Sequence, residues 1–92
     1  MYITKEDEAL DKKYDEIISK YNFNNKQLEA ITFGKHEGID ITIYAKPEYT
    51  WQQMEFLMFR LLNGEDVTPY LNPKLTIEEL MEIRKKKLKK EV

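Results

Sequence analysis

The stretch Phe23-Asn24-Asn25-Lys26-Gln27-Leu28 returns as Tyr49-Thr50-Trp51-Gln52-Gln53-Met54 and again as Leu75-Thr76-Ile77-Glu78-Glu79-Leu80, each copy 26 residues after the last. In every copy a residue with a short side-chain oxygen (Asn24, Thr50, Thr76) stands three places ahead of Gln27, Gln53 or Glu79. The short side chain can accept from an amide of the first helical turn, and the Gln or Glu can reach back to the cap's own amide. Apolar residues flank the motif on both sides, at Phe23, Tyr49 and Leu75 and at Leu28, Met54 and Leu80, as a hydrophobic staple requires. Three helix starts at one spacing follow.

The second half of the unit keeps the same period. Gly38-Ile39-Asp40-Ile41-Thr42-Ile43-Tyr44-Ala45-Lys46-Pro47 returns as Gly64-Glu65-Asp66-Val67-Thr68-Pro69-Tyr70-Leu71-Asn72-Pro73. Gly38 and Gly64 suit the left-handed backbone that closes a helix. Ile39, Ile41 and Ile43 alternate as a strand would, but Pro69 in the second copy would cost a paired strand one of its donors. Single helical turns at Thr42–Lys46 and Thr68–Asn72 are therefore expected, with Thr68 as the cap ahead of Pro69, and Pro47 and Pro73 stopping them.

Ahead of the repeats, Leu10, Tyr14, Ile17, Ile18 and Tyr21 follow helical spacing along one face, and Thr4 can cap that helix. It does not follow the 26-residue pattern and suits an end-covering element. The expected fold is all-α: a short helical-repeat solenoid, or a bundle of four main helices, with single-turn helices in the connecting loops. The main helices should lie near Thr4–Tyr21, Asn24–Glu37, Thr50–Asn63 and Thr76–Lys89, without a sheet. One domain covers residues 1–92, divided at 1–22, 23–48, 49–74 and 75–92, the last unit being truncated with a basic tail. Leu28, Ile31, Met54, Leu57, Met58, Leu61, Leu80 and Ile83 should form the core, and Phe33 and Phe59 should pack near Tyr44 and Tyr70.

The residues present restrict the chemistry. The chain has no cysteine, so disulfides, thiolate ligands and cysteine nucleophiles are excluded. Ser19 and His36 are its only serine and histidine, and the spacing puts them on different helices with nothing to orient either. His36 falls in register with Leu62 and Leu88 and is expected to be a partly buried residue at a helix end. No calcium-loop spacing and no Gly-rich phosphate loop occurs, and the recurring Asp40 and Asp66 suit loop capping. Neither an enzyme nor a metal or cofactor site is expected. No apolar run reaches the roughly 18 residues of a membrane span, and the acidic N-terminus is unlike a signal peptide, so a cytoplasmic location with no membrane partner is the expectation.

Charge is polarised. Residues Arg84 to Val92 carry +5, which leaves −7 for the rest of a chain whose total is −2. Lys85, Lys86, Lys89 and Lys90 form a candidate nucleic-acid contact, although cations at a helix C-terminus are favoured by the dipole without any ligand. Trp51 falls in register with Asn25 and Ile77, and Phe56 with Ala30 and Glu82, so shared repeat architecture explains neither aromatic. A central helix buried on both sides would take them into the core; where exposed, Trp51 and Phe56 are the candidate partner-binding residues, because interface anchors favour large aromatics.

The pattern Gly38-x-Asp40-Ile41-Thr42-x-Tyr44-Ala45-x-Pro47-x-Tyr49-x-x-x-Gln53-Met54 resembles the short helical repeats of proteins from Gram-positive gut bacteria, their phages and their conjugative elements. The resemblance covers Phe23 to about Leu88 and departs from the usual pattern at Pro69 and Leu71. It implies a mobile-element origin and a non-enzymatic binding role, and carries no catalytic residues. In that setting the expected activity is to occupy a surface of a host protein of unknown identity, with inhibition of a host-defence nuclease such as a CRISPR effector as one form. The alternatives are a nucleic-acid-binding accessory protein using the basic C-terminal helix, and a self-associating structural piece.

Overall fold

The computed structural model describes residues 5–90, with side-chain surroundings for residues 11–89. Four helices follow one another: α1 Lys5–Lys20, α2 Asn25–His36, α3 Trp51–Leu62 and α4 Ile77–Lys90. Short 3₁₀ turns at Ile41–Ile43 and Thr68–Tyr70 join the last three, and no strand occurs among the described residues. The body is a slab of 42 × 29 × 16 Å. Thr4 and the side chain of Leu10 lie outside what is described.

All three helix starts form as the sequence spells them. Asn24 Oδ1 accepts from the Gln27 amide at 2.8 Å, and Gln27 Oε1 accepts from the Asn24 amide at 2.9 Å. Thr50 and Gln53 exchange the same bonds at 3.2 and 2.7 Å, and Thr76 and Glu79 at 3.1 Å each. The glycines close α2 and α3 with positive φ, 79° at Gly38 and 73° at Gly64, where a Cβ would be strained. In α2 the Gly38 amide donates to Lys35 O and the Ile39 amide to Gly34 O; in α3 the Gly64 amide donates to Leu61 O and the Glu65 amide to Arg60 O. These paired bonds are the Schellman closure, and the two copies complete it differently. Ile39 is buried, whereas Glu65 instead holds Arg60 Nε at 3.2 Å from its Oε2.

The loop halves turn where expected, with a shifted register. Asp40 caps the first 3₁₀ turn, accepting from both the amide and the hydroxyl of Thr42. Asp66 does the same for Thr68, at 3.0 and 2.7 Å, which holds its carboxyl below the usual range, chiefly through the hydroxyl bond. Thr68 is thus the first residue of its turn and not its cap, a position filled by Val67.

The core extends well beyond the helix stripes. Ile31, Met54, Leu57, Met58 and Leu80 are buried, but Leu28, Leu61 and Ile83 are only partly so. Ile39, Ile41, Tyr44, Ala45, Val67 and Tyr70 from the loop halves are buried alongside them, with Phe23, Ala30 and Tyr49. From α1, Tyr14 is buried and donates to Ile39 O at 3.4 Å, and Ile17 and Ile18 pack against the core. Tyr21 lies beyond the end of α1, 36% exposed, with its ring edge against Phe23.

Backbone approach differs between the helix pairs. α2 and α3 lie at close backbone range, while α3 and α4 stand farther apart. On α2 the residues facing inward include Ala30 and Gly34, which let a neighbour come close; on α3 the equivalent positions hold Phe56 and Arg60. The smaller pair admits Tyr44, whose hydroxyl donates to Ala30 O at 2.9 Å, and a Cβ on Gly34 would sit 1.8 Å from that hydroxyl. In the second copy Tyr70 cannot repeat this. Its ring instead meets Phe56 edge-on at 5.1 Å, and its buried hydroxyl has no hydrogen-bond partner among the described residues.

Candidate interaction surface

The wider spacing of α3 and α4 leaves a groove on the outer side of the slab. Phe56, Phe59, Met81 and Leu88 supply its apolar lining, and Arg60, Arg84 and Lys85 its charge. Glu65 ties the two arginines together, at 3.2 Å from Arg60 Nε and 3.8 Å from Arg84 Nε. Both Nε atoms are buried and neither makes a hydrogen bond, the Arg60 N–H being poorly aimed and the Arg84 contact too long, so these contacts are charge pairings without the directional bond. A shallower counterpart between α2 and α3 is lined by Phe33, Met58 and Phe59, with Glu29 and Glu55 as its charged groups. The outer surface is therefore acidic at one groove and basic at the next.

Phe33 and Phe59 do not pack near the tyrosines as their equivalence suggested; each is 46% exposed on this outer surface. Tyr44 and Tyr70 fill the interior instead, Tyr44 beside Gly34 and Tyr70 against the ring of Phe56. Met81 is 59% exposed, and Leu62 and Leu88 also face outward. These outward apolar residues were not singled out by sequence reasoning. The available signal was Lys85, which occupies the position of Phe33 and Phe59 in the third copy and would not be tolerated at a buried site.

Phe56 is half-buried in the groove, with Tyr70 against it and the Arg60 guanidinium 5.1 Å from its ring centroid. Trp51, also half-buried, opens α3 with the Lys26 ammonium 5.7 Å from its ring. Five positions separate them on α3, about 140° around the helix, so they do not form one patch. Lys85, Lys86 and Lys89 are exposed, while the Lys90 side chain lies outside the described residues. Lys87 does different work, donating to Asp66 O at 3.1 Å.

The residues weighed for catalysis are scattered. His36 is exposed at the last position of α2 and not partly buried, since it falls on the open side of that helix with Leu28, Thr32 and Phe33. Ser19 is exposed on α1. Among the described residues, no group of three or more His, Asp or Glu side chains is placed to hold a metal ion, and no helix is long and apolar enough to cross a membrane. No known protein family, characterised protein or solved structure matches the chain.

Proposed function

We propose that this chain is a non-enzymatic protein-binding module, a short helical-repeat array of a phage or other mobile element that acts in the cytoplasm by occupying a surface of a host protein. The observation that supports it is the outward row of Phe33, Phe59 and Met81 on three successive helices, with Phe56 half-open in the groove beside it. A small protein whose interior is well filled gains nothing in stability from these exposed groups, and contiguous apolar surface of this kind is what partner-binding sites present. Arg60, Arg84 and Lys85 beside the apolar lining suit a partner segment that is both apolar and acidic. A host-defence nuclease such as a CRISPR effector is the target class suggested by the resemblance of the repeat.

The competing reading is nucleic-acid binding through Lys85, Lys86, Lys89 and Lys90, favoured by the exposure of the first three. Both are tested by presenting the chain to a lysate of a Gram-positive host and comparing three variants: Phe59→Ser with Met81→Ser, Phe56→Ala, and the four lysines changed to Gln. Specific protein capture lost in the first two variants, with helicity unchanged, supports the proposal. Capture that survives them and disappears with the lysines, or steeply salt-dependent binding to DNA or RNA, sinks it.

A further inference from the structure

The 26-residue period extends to a hydrogen bond that links neighbouring units. Besides completing its capping box, Gln27 uses Nε2 to donate to Tyr49 O at 2.8 Å, and Gln53 donates to Leu75 O at 2.7 Å. Tyr49 and Leu75 are the residues just before the next helix's cap, and both glutamines are almost wholly buried. Phe23 O is the equivalent acceptor ahead of α2, and no hydrogen bond reaches it among the described residues.

The helix face that accompanies this acceptor is also uncovered. In α3, Met54 and Met58 are 0% and 3% exposed against α2. Their equivalents on α2 are Leu28, half-buried, and Thr32, exposed, which share an open groove with Phe33 and His36. At the far side of α4 the situation is reversed in chemistry. The face that is buried on α2 and α3 through Gln27 and Gln53 carries Glu79 and Glu82 there, with Glu78 at its edge, beside Leu75 and Ile83. Glu79 still completes its capping box as an acceptor, but a carboxylate has no N–H to donate to a carbonyl.

We propose that the open face of α2 is a docking surface for one further helix of this repeat type, carried by another polypeptide and bearing Gln at its third helical position to donate to Phe23 O. It is the continuation of the α2–α3 interface and independent of the groove between α3 and α4. A second copy of this chain is excluded as the occupant, because its α4 would bring three carboxylates, one of them against the Phe23 carbonyl oxygen. That exclusion has a purpose: a head-to-tail contact of this kind does not close on itself and would build open filaments.

The test uses the chain as its own probe. Glu78→Gln, Glu79→Gln and Glu82→Ala together give α4 the residues that Gln52, Gln53 and Ala30 provide at equivalent positions. In analytical ultracentrifugation the unaltered chain should remain a monomer, the triple variant should shift toward dimers and longer species as concentration rises, and adding Phe33→Asp should reverse the shift. Glu79→Gln alone, which keeps a capping box already present twice in the chain, gives a second readout should the triple variant lose helicity, with a smaller shift in the same direction. A triple variant that stays monomeric with native helicity overturns the proposal, as does association that ignores Phe33→Asp or association of the unaltered chain through this face.

Discussion

Tyr44 and Tyr70 occupy the same place in successive units, yet removing the hydroxyl should move stability in opposite directions. The Tyr44 hydroxyl donates to Ala30 O at 2.9 Å inside the core, and Gly34 provides the space it occupies. A buried hydrogen bond of this type contributes about 1 kcal/mol net, so Tyr44→Phe should destabilise by about 0.5–1.5 kcal/mol. The Tyr70 hydroxyl is equally buried and has no partner among the described residues, while the edge contact to Phe56 and the Lys87 ammonium 5.9 Å from the ring need only the ring itself. An unpaired buried hydroxyl costs roughly 1–3 kcal/mol of desolvation, so Tyr70→Phe should be stabilising by about 1 kcal/mol. The difference between the two variants is then about 2 kcal/mol. Urea titration followed by circular dichroism at 222 nm measures it, and thermal melts should separate the variants by roughly 8–16 °C for a domain of this size. Equal effects of the same sign would refute the reasoning, since they would mean that the Gly34/Arg60 difference does not govern the two hydroxyls.

Gly34→Ala should destabilise by at least about 2 kcal/mol, because its Cβ would meet the Tyr44 hydroxyl at 1.8 Å and force the ring to move. Combined with Tyr44→Phe the loss should be less than additive in a double-mutant cycle; additivity would show that the clash is not with the hydroxyl. Leu57→Ala, at a fully buried position, should cost about 2–4 kcal/mol by denaturant titration, and a change below about 0.5 kcal/mol would place Leu57 outside the core. Alkali should unfold the protein. Burial raises the hydroxyl pKa values of Tyr14, Tyr44 and Tyr49 above the ordinary 10.0, with Asp40 adding at Tyr14 and Glu48 at Tyr49. Such groups contribute stability that is complete below pH 10 and is lost as pH rises through the folded values. Absorbance at 295 nm should therefore show part of the tyrosine ionisation arriving together with the loss of helicity; a single smooth titration with helicity intact would contradict it.

The parts of this fold that could be read from sequence are those whose information is local. A capping box involves four consecutive residues, and a left-handed glycine needs no partner, so helix starts and ends were legible to within a residue or two. The core was legible only where helical spacing marked it. Ile39, Ile41 and Tyr44 lie in a stretch whose alternation gives no hint of which helix covers it, and their burial comes from the return of the chain across α2. Equivalence also misled where one partner differed. Phe33 and Phe59 were assigned to the tyrosines by register, but the space beside Tyr44 belongs to Gly34, and the rings turn outward. Phe56 was singled out for lacking a counterpart, and it does line a groove, but that groove exists because α3 and α4 stand apart, which no stretch of sequence records.

That separation explains how two units with one set of caps come to have different surfaces. Between α2 and α3, Ala30 and Gly34 permit close backbones, and the interior is sealed by a hydrogen-bonded tyrosine. Between α3 and α4, Phe56 and Arg60 hold the backbones apart, and the Schellman closure exchanges a buried isoleucine for Glu65, shared by two arginines. Partly buried charges of this kind contribute little net stability, because the cost of removing them from water offsets much of their attraction. The α4 side is thereby the less firmly held part of the molecule, joined through the Gln53 bonds, the burial of Leu80 and the Lys87 contact with Asp66. Binding surfaces are drawn from such regions, since a groove that is not tightly closed can admit a partner at little conformational cost. The repeat keeps the caps constant and changes two inward positions, and those two positions decide where the molecule is sealed and where it is open.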